Sequence, residues 1–146
     1  MDDIIENISK LREKCGDRAV LRAIHFINEN KRVGKQAEAL KSEKIDEFLT
    51  LIKESGDSSY KYLQNVYTVN DIRHQNVSLA LAISDTVLEG GKGVCRVHGG
   101  GFAGTIQAFV PNDMLDEYKN TIDRVFGEGS CHVLIIRPFG GTKVIG

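Results

Sequence analysis

The sequence predicts an α+β fold in which helices come first and a small antiparallel sheet follows. Up to about residue 90 the apolar residues recur at three- and four-residue steps, which is the spacing of one face of a helix. Beyond Gly93 they form short runs typical of strands, with one further helical pattern among them. Gly90 and Gly91 mark the change in the manner of a C-terminal helix cap. We therefore expect a helical part at about 1–90 and a sheet part at about 91–146.

The helical part contains four apolar patterns, of which the first is short and ends before Gly16. The second is a long helix whose predicted core face consists of Val20, Ala23, Ile24, Ile27, Gly34, Ala37 and Leu40. The third carries Ile45, Phe48, Leu49 and Ile52, and we expect the turn-forming residues 55–59 to end it. The fourth covers about 71–89 and has a stripe made of Val77, Ala80, Leu81, Ser84, Val87 and Leu88.

The sheet part reads as strand, strand, helix and strand. Two apolar strands flank the glycines near residue 100, a helix starts after Pro111 and stops at Gly127, and residues 131–137 form the closing strand. With the preceding helix this gives α-β-β-α-β, which lacks only the first strand of a ferredoxin-like plait. That strand is either absent or hidden in the helical half. An unpaired sheet edge can pair with other chains and aggregate, so we expect more polypeptide upstream or a partner that covers the edge. A homodimer through an exposed edge or face is a further possibility.

Size and composition indicate one soluble domain over 1–146 without unusual features. The 19 Lys and Arg residues balance 20 Asp and Glu residues, so the chain lacks the basic field of a nonspecific nucleic-acid binder. Three widely spaced cysteines give no zinc or disulfide framework. The acidic N-terminus and the absence of a long apolar run argue against a signal peptide and a membrane partner. The sequence therefore predicts a cytoplasmic protein.

Three consecutive glycines interrupt the two strands of the sheet part and are the most informative feature. Glycine adopts positive φ without steric cost and lets a ligand approach the main chain closely. Followed by Gly104, the loop can present several N–H groups in a concave cluster suited to phosphate. A flexible hairpin turn is the alternative interpretation. The candidate site residues are Gly99, Gly100, Gly101, Phe102 and Gly104.

Three supporting residues accompany this loop. Arg96 and Arg137 lie in apolar strands, where a guanidinium must emerge at an edge, pair with a carboxylate or meet an anionic ligand. His98 directly precedes the glycines. It either supports ligand binding or is a strand-end histidine that forms a hydrogen bond with nearby backbone. The charged residues 29–32 are interpreted as a solvated helix face. No spacing predicts a metal site, a serine nucleophile or a P-loop, so we expect no catalytic residue here.

Two segments resemble conserved motifs of galactokinases, which belong to the GHMP superfamily of small-molecule kinases. Residues 96–104 (RVHGGGFAG) resemble the third conserved motif, and residues 22–33 (RAIHFINENKRV) resemble the helix with the signature R-A-x-H-x-x-x-E-N-x-R-V. Residues 136–138 resemble the closing strand. His98 and Ala103 depart from the residues most common at their positions and indicate a bacterial subgroup. The resemblance covers the whole chain and implies the C-terminal domain of such a kinase.

For the intact enzyme, the resemblance implies transfer of the ATP γ-phosphoryl group to the C1 hydroxyl of galactose, assisted by Mg²⁺. Gly99, Gly100 and Gly101 would line the cleft between two domains. The serine-rich phosphate loop and the catalytic aspartate and arginine of the N-terminal domain do not occur in these 146 residues. We therefore expect that domain as a covalent or separate partner, no tightly bound cofactor, and an inactive isolated chain. The alternative is a freestanding ligand-binding or regulatory module derived from the kinase domain.

Overall fold

The structure is a computed structural model that describes residues 1–90, 93–102 and 104–135. Its elements are α1 (Asp2–Glu6), α2 (Ile8–Cys15), α3 (Asp17–Lys41), α4 (Ile45–Ser58), a π-helical turn (Ser59–Leu63), α5 (Asn76–Val87), β1 (Val94–Val97), β2 (Ile106–Phe109), a 3-10 turn (Asn112–Met114) and α6 (Leu115–Phe126). The α+β class predicted from the sequence is confirmed. Among the described residues, no helix combines the length and apolar character that a membrane crossing requires.

Helices α3 and α4 form an antiparallel hairpin that packs through a largely polar face of α3. Gln36 Nε2 donates to the Leu51 carbonyl at 3.2 Å, and His25 Nδ1 lies 2.9 Å from Ser58 Oγ. Much of the apolar stripe predicted as the core face of α3 is exposed instead: Ala23, Gly34, Ala37 and Leu40 face solvent, whereas Val20 is buried. Ile24 and Ile27 are half-buried, so helical periodicity identified the element correctly but placed only part of the predicted stripe in the core.

The predicted turn at residues 55–59 is also wrong, because α4 continues through it and runs into the π-helical turn. Small residues occur there because β1 crosses this part of the helix. A Cβ at Gly56 would lie 3.1 Å from the Cβ of Arg96 and 3.3 Å from the Cys95 carbonyl oxygen. Ser55 and Ser58 are buried and have side-chain partners on α3. Residues that favour turns in a sequence therefore serve close packing here.

Within the described part of the chain the sheet consists of β1 and β2, which pair antiparallel with Val94 opposite Phe109 and Val97 opposite Ile106. Its two faces meet different helices. Cys95 and Val97 are buried, and the Cys95 thiol points toward the Leu81 carbonyl of α5, whereas Arg96 lies toward α4. One apolar cluster joins Val66, Val77 and Val97.

A second apolar cluster fixes α6 against α5. Leu88, Tyr118 and Ile122 are its buried members. Ser84 and the Tyr118 hydroxyl, both buried, form a hydrogen bond at 2.7 Å between the two helices. The helix predicted between Pro111 and Gly127 is thereby confirmed, and it lies against the last turns of α5.

The predicted closing strand is wrong for the part that the structure describes. Residues 131–135 form no strand, and the described sheet has two strands. The Cys131 N–H donates to Asp123 Oδ1 at 2.8 Å, which ties the start of this segment to α6. Beyond it Leu134 and Ile135 are 86% and 90% exposed. The apolar sequence has strand character, but no described strand edge pairs with it. Residues 136–138, including Arg137, lie outside the described residues.

Candidate functional site

The glycine loop leaves the sheet through a short extension of the β1–β2 ladder. The His98 N–H donates to the Thr105 carbonyl at 3.1 Å, and Thr105 Oγ1 donates to the His98 carbonyl at 3.4 Å. Beyond this pair, Gly99 and Gly100 are exposed, and a Cβ at either would meet nothing within 4 Å. Gly99 has φ +64°, which favours glycine on conformational grounds alone. The tip of the loop therefore presents bare main chain to solvent.

Gly101 has a different role, because it is buried against the backbone of Asn65. A Cβ there would lie 2.0 Å from the Asn65 carbonyl oxygen, and φ is +74°. The Phe102 N–H donates to the same oxygen at 2.9 Å. This amide is not available to a ligand. Gly101 is therefore glycine because two main chains meet, and the contact holds the loop in one position.

Asn65 is itself held by the end of the preceding π-helical turn. Gln64 has φ +55°, and the carbonyls of Leu63 and Gln64 accept hydrogen bonds from Arg22 at 3.4 Å and Arg18 at 3.1 Å. Two arginines of α3 thus bind carbonyls left without helical partners. Asn65 is 2% exposed, and within residues 1–90, 93–102 and 104–135 neither Nδ2 nor Oδ1 of its side chain has a hydrogen-bond partner.

A cavity of about 270 Å³ lies beside the loop. It is enclosed by three segments, whose lining residues are Val66, Tyr67, Thr68, His74, Gln75, Asn76, Val77, Phe102 and Gly104. Phe102 is 59% exposed and has φ +26°, an unusual backbone conformation for a residue with a side chain. Strained backbone of this kind concentrates at binding sites. A larger hollow of about 470 Å³ lies at residues 43–47, but it is open and formed by one short stretch of chain.

The polar wall of the cavity is the segment that leads into α5. Gln75 Nε2 donates to the carbonyls of Thr68 at 2.8 Å and Asp71 at 2.6 Å. Its Oε1 is buried and has no partner among the described residues. His74 Nδ1 lies 2.7 Å from Asp71 Oδ2, and this hydrogen bond is the main reason that the pKa of Asp71 is lowered. Helix α5 starts at the cavity with no side-chain cap on its first turn.

This wall can recognise a polar ligand through main-chain dipoles, since the first N–H groups of a helix lack intrahelical partners. It does not provide strong positive charge. Of the residues that the structure describes, no lysine or arginine lines the cavity. Within the described residues, no three His, Cys, Asp or Glu side chains come together as metal ligands. The described chain thus offers shape and backbone donors, and a charged reactant needs counter-charge from another source.

A second polar cluster lies between α3, α4 and β1, and it is formed by the residues of the α3 signature. Glu29 accepts hydrogen bonds from Ser55 and from Arg32, and it lies 3.8 Å from the guanidinium of Arg96. The side chains of Glu29 and Arg32 are 19% and 14% exposed. The interpretation of residues 29–32 as a solvated face is therefore wrong for these two. The pair is directed inward because β1 brings a second arginine to the same carboxylate.

His25 extends this cluster along α3. It is 8% exposed, and its hydrogen-bond partner is Ser58 at 2.9 Å. Burial lowers the pKa of His25, and this effect exceeds the opposing influence of Glu29. The imidazole is consequently neutral over most of the physiological pH range.

The structure thus distinguishes among the supporting residues predicted from the sequence. Of the three outcomes open for Arg96, pairing with a carboxylate is the one observed, and Arg96 is 24% exposed on the α4 side of the sheet. The side chain of His98 is exposed at the base of the loop, where its backbone continues the ladder. Cys95 is buried, and burial together with Asp85 raises its pKa to about 12, so this thiol is not a nucleophile.

Several residues around the loop were not found by sequence reasoning. The cavity-lining residues 66–68 lie in a segment without periodicity, which made it look like a simple connection. Residues 74 and 75 were predicted to belong to the fourth helix, but that helix begins at Asn76 and the residues before it line the cavity. Asn65 carried no signal of its own, because its role depends on a glycine 36 positions later. Gly56 within a helical pattern was the one detectable clue to a close approach, and it was interpreted as part of a turn.

Comparison with known proteins relates the chain to a galactokinase. The chain is 31% identical over 121 residues to a galactokinase from Glaesserella parasuis serovar 5 (strain SH0165). The match covers 83% of this chain and 29% of that galactokinase, so the chain spans less than a third of its relative's length. No family model matches the chain, and no solved structure matches it. The chain therefore contains a galactokinase-related region.

Proposed function

We propose that this chain is the C-terminal domain of a galactokinase-type sugar kinase of the GHMP superfamily and contributes one wall of its active site. The observation that carries the proposal is that the glycines of the loop have two different environments. Gly101 is fixed against Asn65, while Gly99 and Gly100 are open to solvent at the tip of the loop, and Phe102 and Gly104 of the same loop line the cavity. A loop that is anchored at one glycine and bare at two others suits close approach of a ligand to the main chain.

The sequence relationship supports the same assignment. The similarity to a galactokinase extends over most of this chain but less than a third of that protein. In our proposal the upstream region, joined covalently or supplied as a separate chain, provides the opposite wall. The β-β-α order of the described sheet part is compatible with a ferredoxin-like domain whose remaining strands come from residues 136–146 and from that upstream region.

The proposed reaction is transfer of the ATP γ-phosphoryl group to the C1 hydroxyl of galactose. Mg²⁺ neutralises phosphate charge when it is bound with ATP, and phosphoryl transfer depends mainly on positioning and electrostatic stabilisation. Gly99, Gly100 and Gly101 shape the wall against which the reactants lie. Phe102 and Gly104 line the cavity at the edge of this wall. The supporting arginine of this wall, Arg96, acts indirectly, because its guanidinium is held by Glu29.

The charge distribution explains why we expect this chain to be inactive alone. The part of the cavity lining that the structure describes has no lysine or arginine, and the 146 residues contain no serine-rich phosphate loop. A fold that positions a nucleotide and its metal needs both. We therefore assign the catalytic base and the phosphate-binding cations to the upstream region.

A coupled assay of ATP-dependent galactose phosphorylation tests the proposal. The chain alone should give no turnover, whereas a fusion of the upstream region of the Glaesserella parasuis galactokinase to this chain should phosphorylate galactose. Clear turnover by the chain alone would disprove its dependence on that region. A fusion that is folded by circular dichroism and binds galactose, yet has no activity, would contradict the kinase assignment.

Calorimetry separates this proposal from the alternative of a freestanding binding module. In our account the chain alone shows no saturable heat with galactose, because one wall does not enclose a sugar. Saturable binding of galactose without any partner would favour the module.

A further inference from the structure

A row of polar side chains on α3 contacts α4 and the π-helical turn. Its members follow one another at alternating steps of four and three residues and are Arg18, Arg22, His25, Glu29, Arg32 and Gln36. Helix α3 also buries apolar residues such as Val20 and Ala39, so this polar row is one part of its packing. Steps of four and three residues keep successive side chains on one line of a helix, and the whole row can therefore meet one neighbouring element.

Each member of the polar row meets a different position of the neighbouring element, and these positions run in the opposite direction along the chain. In the order of the row, the partners are the Gln64 carbonyl, the Leu63 carbonyl, Ser58, Ser55, Glu54 and the Leu51 carbonyl. A shift by one turn would separate buried partners such as His25 and Ser58. The polar row thus fixes where the π-helical turn lies along α3.

The upstream end of the polar row holds the end of the π-helical turn. The Gln64 N–H donates to the Ser59 carbonyl at 2.8 Å, and the carbonyls that follow lack helical partners. Arg22 donates to the Leu63 carbonyl at 3.4 Å, and Arg18 donates to the Gln64 carbonyl at 3.1 Å. Gln64 has φ +55°, a conformation that persists only where surrounding contacts enforce it. The two arginines supply such contacts.

Asn65 transmits this position to the glycine loop. It directly follows Gln64, and its carbonyl oxygen accepts the Phe102 N–H at 2.9 Å. The same oxygen lies where a Cβ at Gly101 would be 2.0 Å away, so the two main chains are in close contact. Because Asn65 is buried in this contact, a displacement of Gln64 moves the surface against which the loop lies.

We propose that Arg18 and Arg22 are positioning residues for the glycine loop. They hold the end of the π-helical turn, and through Asn65 they fix the place of Gly101 and Phe102. Arg22 belongs to the segment 22–33 that resembles the galactokinase signature, so the proposal gives a physical role to the first residue of that signature. The positioning is a property of this chain, whereas its consequence for phosphoryl transfer rests on the proposed function.

Hydrogen exchange of single amides, measured by NMR on the chain alone, tests the positioning. The double variant Arg18→Ala/Arg22→Ala should speed exchange of the Phe102 amide at least ~10-fold, because two hydrogen bonds from charged donors are lost. The matched control is Lys31→Ala/Lys35→Ala, which removes two exposed cations from α3 at the same spacing but outside the polar row. This control should leave the exchange rate of Phe102 unchanged.

Two further measurements separate positioning from a general loss of stability. The amide of His98 donates to Thr105 within the sheet ladder and should keep its protection in the alanine variant. Arg18→Lys/Arg22→Lys retains a charged donor at each position and should keep Phe102 exchange within about 3-fold of the wild type. Unchanged Phe102 exchange in the alanine variant, or an equal loss of protection at Phe102 and His98, would overturn the proposal.

The fusion with the upstream region of the Glaesserella parasuis galactokinase measures the consequence for activity. Arg18→Ala/Arg22→Ala should lower kcat by about 10-fold and leave the KM for galactose within about 2-fold, because a displaced loop impairs alignment of the reactants. An inactive unmodified fusion would contradict the proposed function, while the exchange experiment still decides the positioning. An active fusion in which the alanine variant keeps full kcat would overturn a role of the two arginines in the active site.

Discussion

At the scale of single residues, Glu29 is the group on which the interior of the helical hairpin depends. Its carboxylate accepts a hydrogen bond from Ser55 and pairs with the guanidinium groups of Arg32 and Arg96, and these three residues come from three different elements. A buried charge pair adds little net stability relative to apolar packing, but removal of one partner leaves the other charges uncompensated. The inward charges of the α3 signature are therefore better explained by structural specification than by direct contact with a ligand.

Replacing Glu29 measures this dependence. We expect Glu29→Gln to lower the free energy of unfolding by about 3 kcal/mol, since Arg96 then loses its counter-charge in a poorly solvated place and Arg32 keeps only the exposed Glu54. Glu54→Gln is the control, because Glu54 also lies 3.5 Å from Arg32 but is 56% exposed, and its loss should cost less than about 1 kcal/mol. Urea denaturation of both variants gives the comparison, and equal effects would contradict the assignment.

His25 makes stability depend on pH in a defined direction. Burial lowers its pKa in the folded chain below the ordinary value of 6.5, while Glu29 opposes and Arg32 and Arg96 add to that shift. Between the two values the unfolded chain binds more protons, so the free energy of unfolding should fall as pH drops below about 6.5. Denaturation between pH 5 and 8 should show this slope, and His25→Gln should flatten it. The exposed His98 provides the control, and a slope that His98→Gln removes instead would refute this explanation.

Gly101 and Gly100 are adjacent, but only Gly100 has space for a side chain. We expect Gly101→Ala to destabilise the chain by several kcal/mol or to detach the loop, because its Cβ would overlap the Asn65 carbonyl at a positive φ. Gly100→Ala should change stability by less than about 0.5 kcal/mol, since its Cβ meets open space. Thermal unfolding compares the two, and the amide shift of Phe102 in NMR spectra reports whether the loop stays on Asn65. Equal stability of the two variants would contradict the close contact.

At the scale of elements, the sequence predicted the type of structure better than its packing. The spacing of apolar residues correctly located helices α3 and α6, and short apolar runs located the β1–β2 pair. It assigned Ala23, Ala37 and Leu40 to the core because periodicity reports an apolar face and not what covers it. The prediction of a strand at residues 131–135 was wrong for a related reason. Strand character is realised only where a neighbouring strand supplies partners, and the described sheet does not provide one there.

The contact between α5 and α6 can be tested through its buried hydrogen bond. Ser84→Ala removes the partner of the Tyr118 hydroxyl, a group that is itself buried, and should cost about 1–3 kcal/mol of unfolding free energy. Thr86→Ala on the exposed side of α5 is the matched control, with an effect within about 0.5 kcal/mol. Urea denaturation distinguishes the two. If Ser84→Ala left the free energy of unfolding unchanged, this hydrogen bond would not be what holds α6 against α5.

At the scale of the whole molecule, the site lies where the helical and sheet parts meet. The glycine loop comes from the sheet part, whereas Asn65 and the polar wall come from the connection between α4 and α5. The sequence located the loop, because three consecutive glycines are visible without a structure. It could not locate the opposing segment, since Asn65, Thr68 and Gln75 form no local pattern and become neighbours of the loop only through the tertiary fold. Among the described residues the cavity lining has no lysine or arginine, which fits our proposal that an upstream region completes the active site.

The most direct test of the central claim is the activity of the galactokinase fusion with Gly100 replaced by valine. Gly100 is exposed, its Cβ meets nothing within 4 Å and its φ is not positive, so the variant should fold like the wild type. If the bare loop lines the reaction cleft, Gly100→Val should lower kcat/KM for galactose phosphorylation by about 100-fold, while Gly34→Ala on the exposed side of α3 leaves it unchanged. A Gly100→Val fusion with the full activity of the unmodified fusion would contradict a role for this loop in the active site.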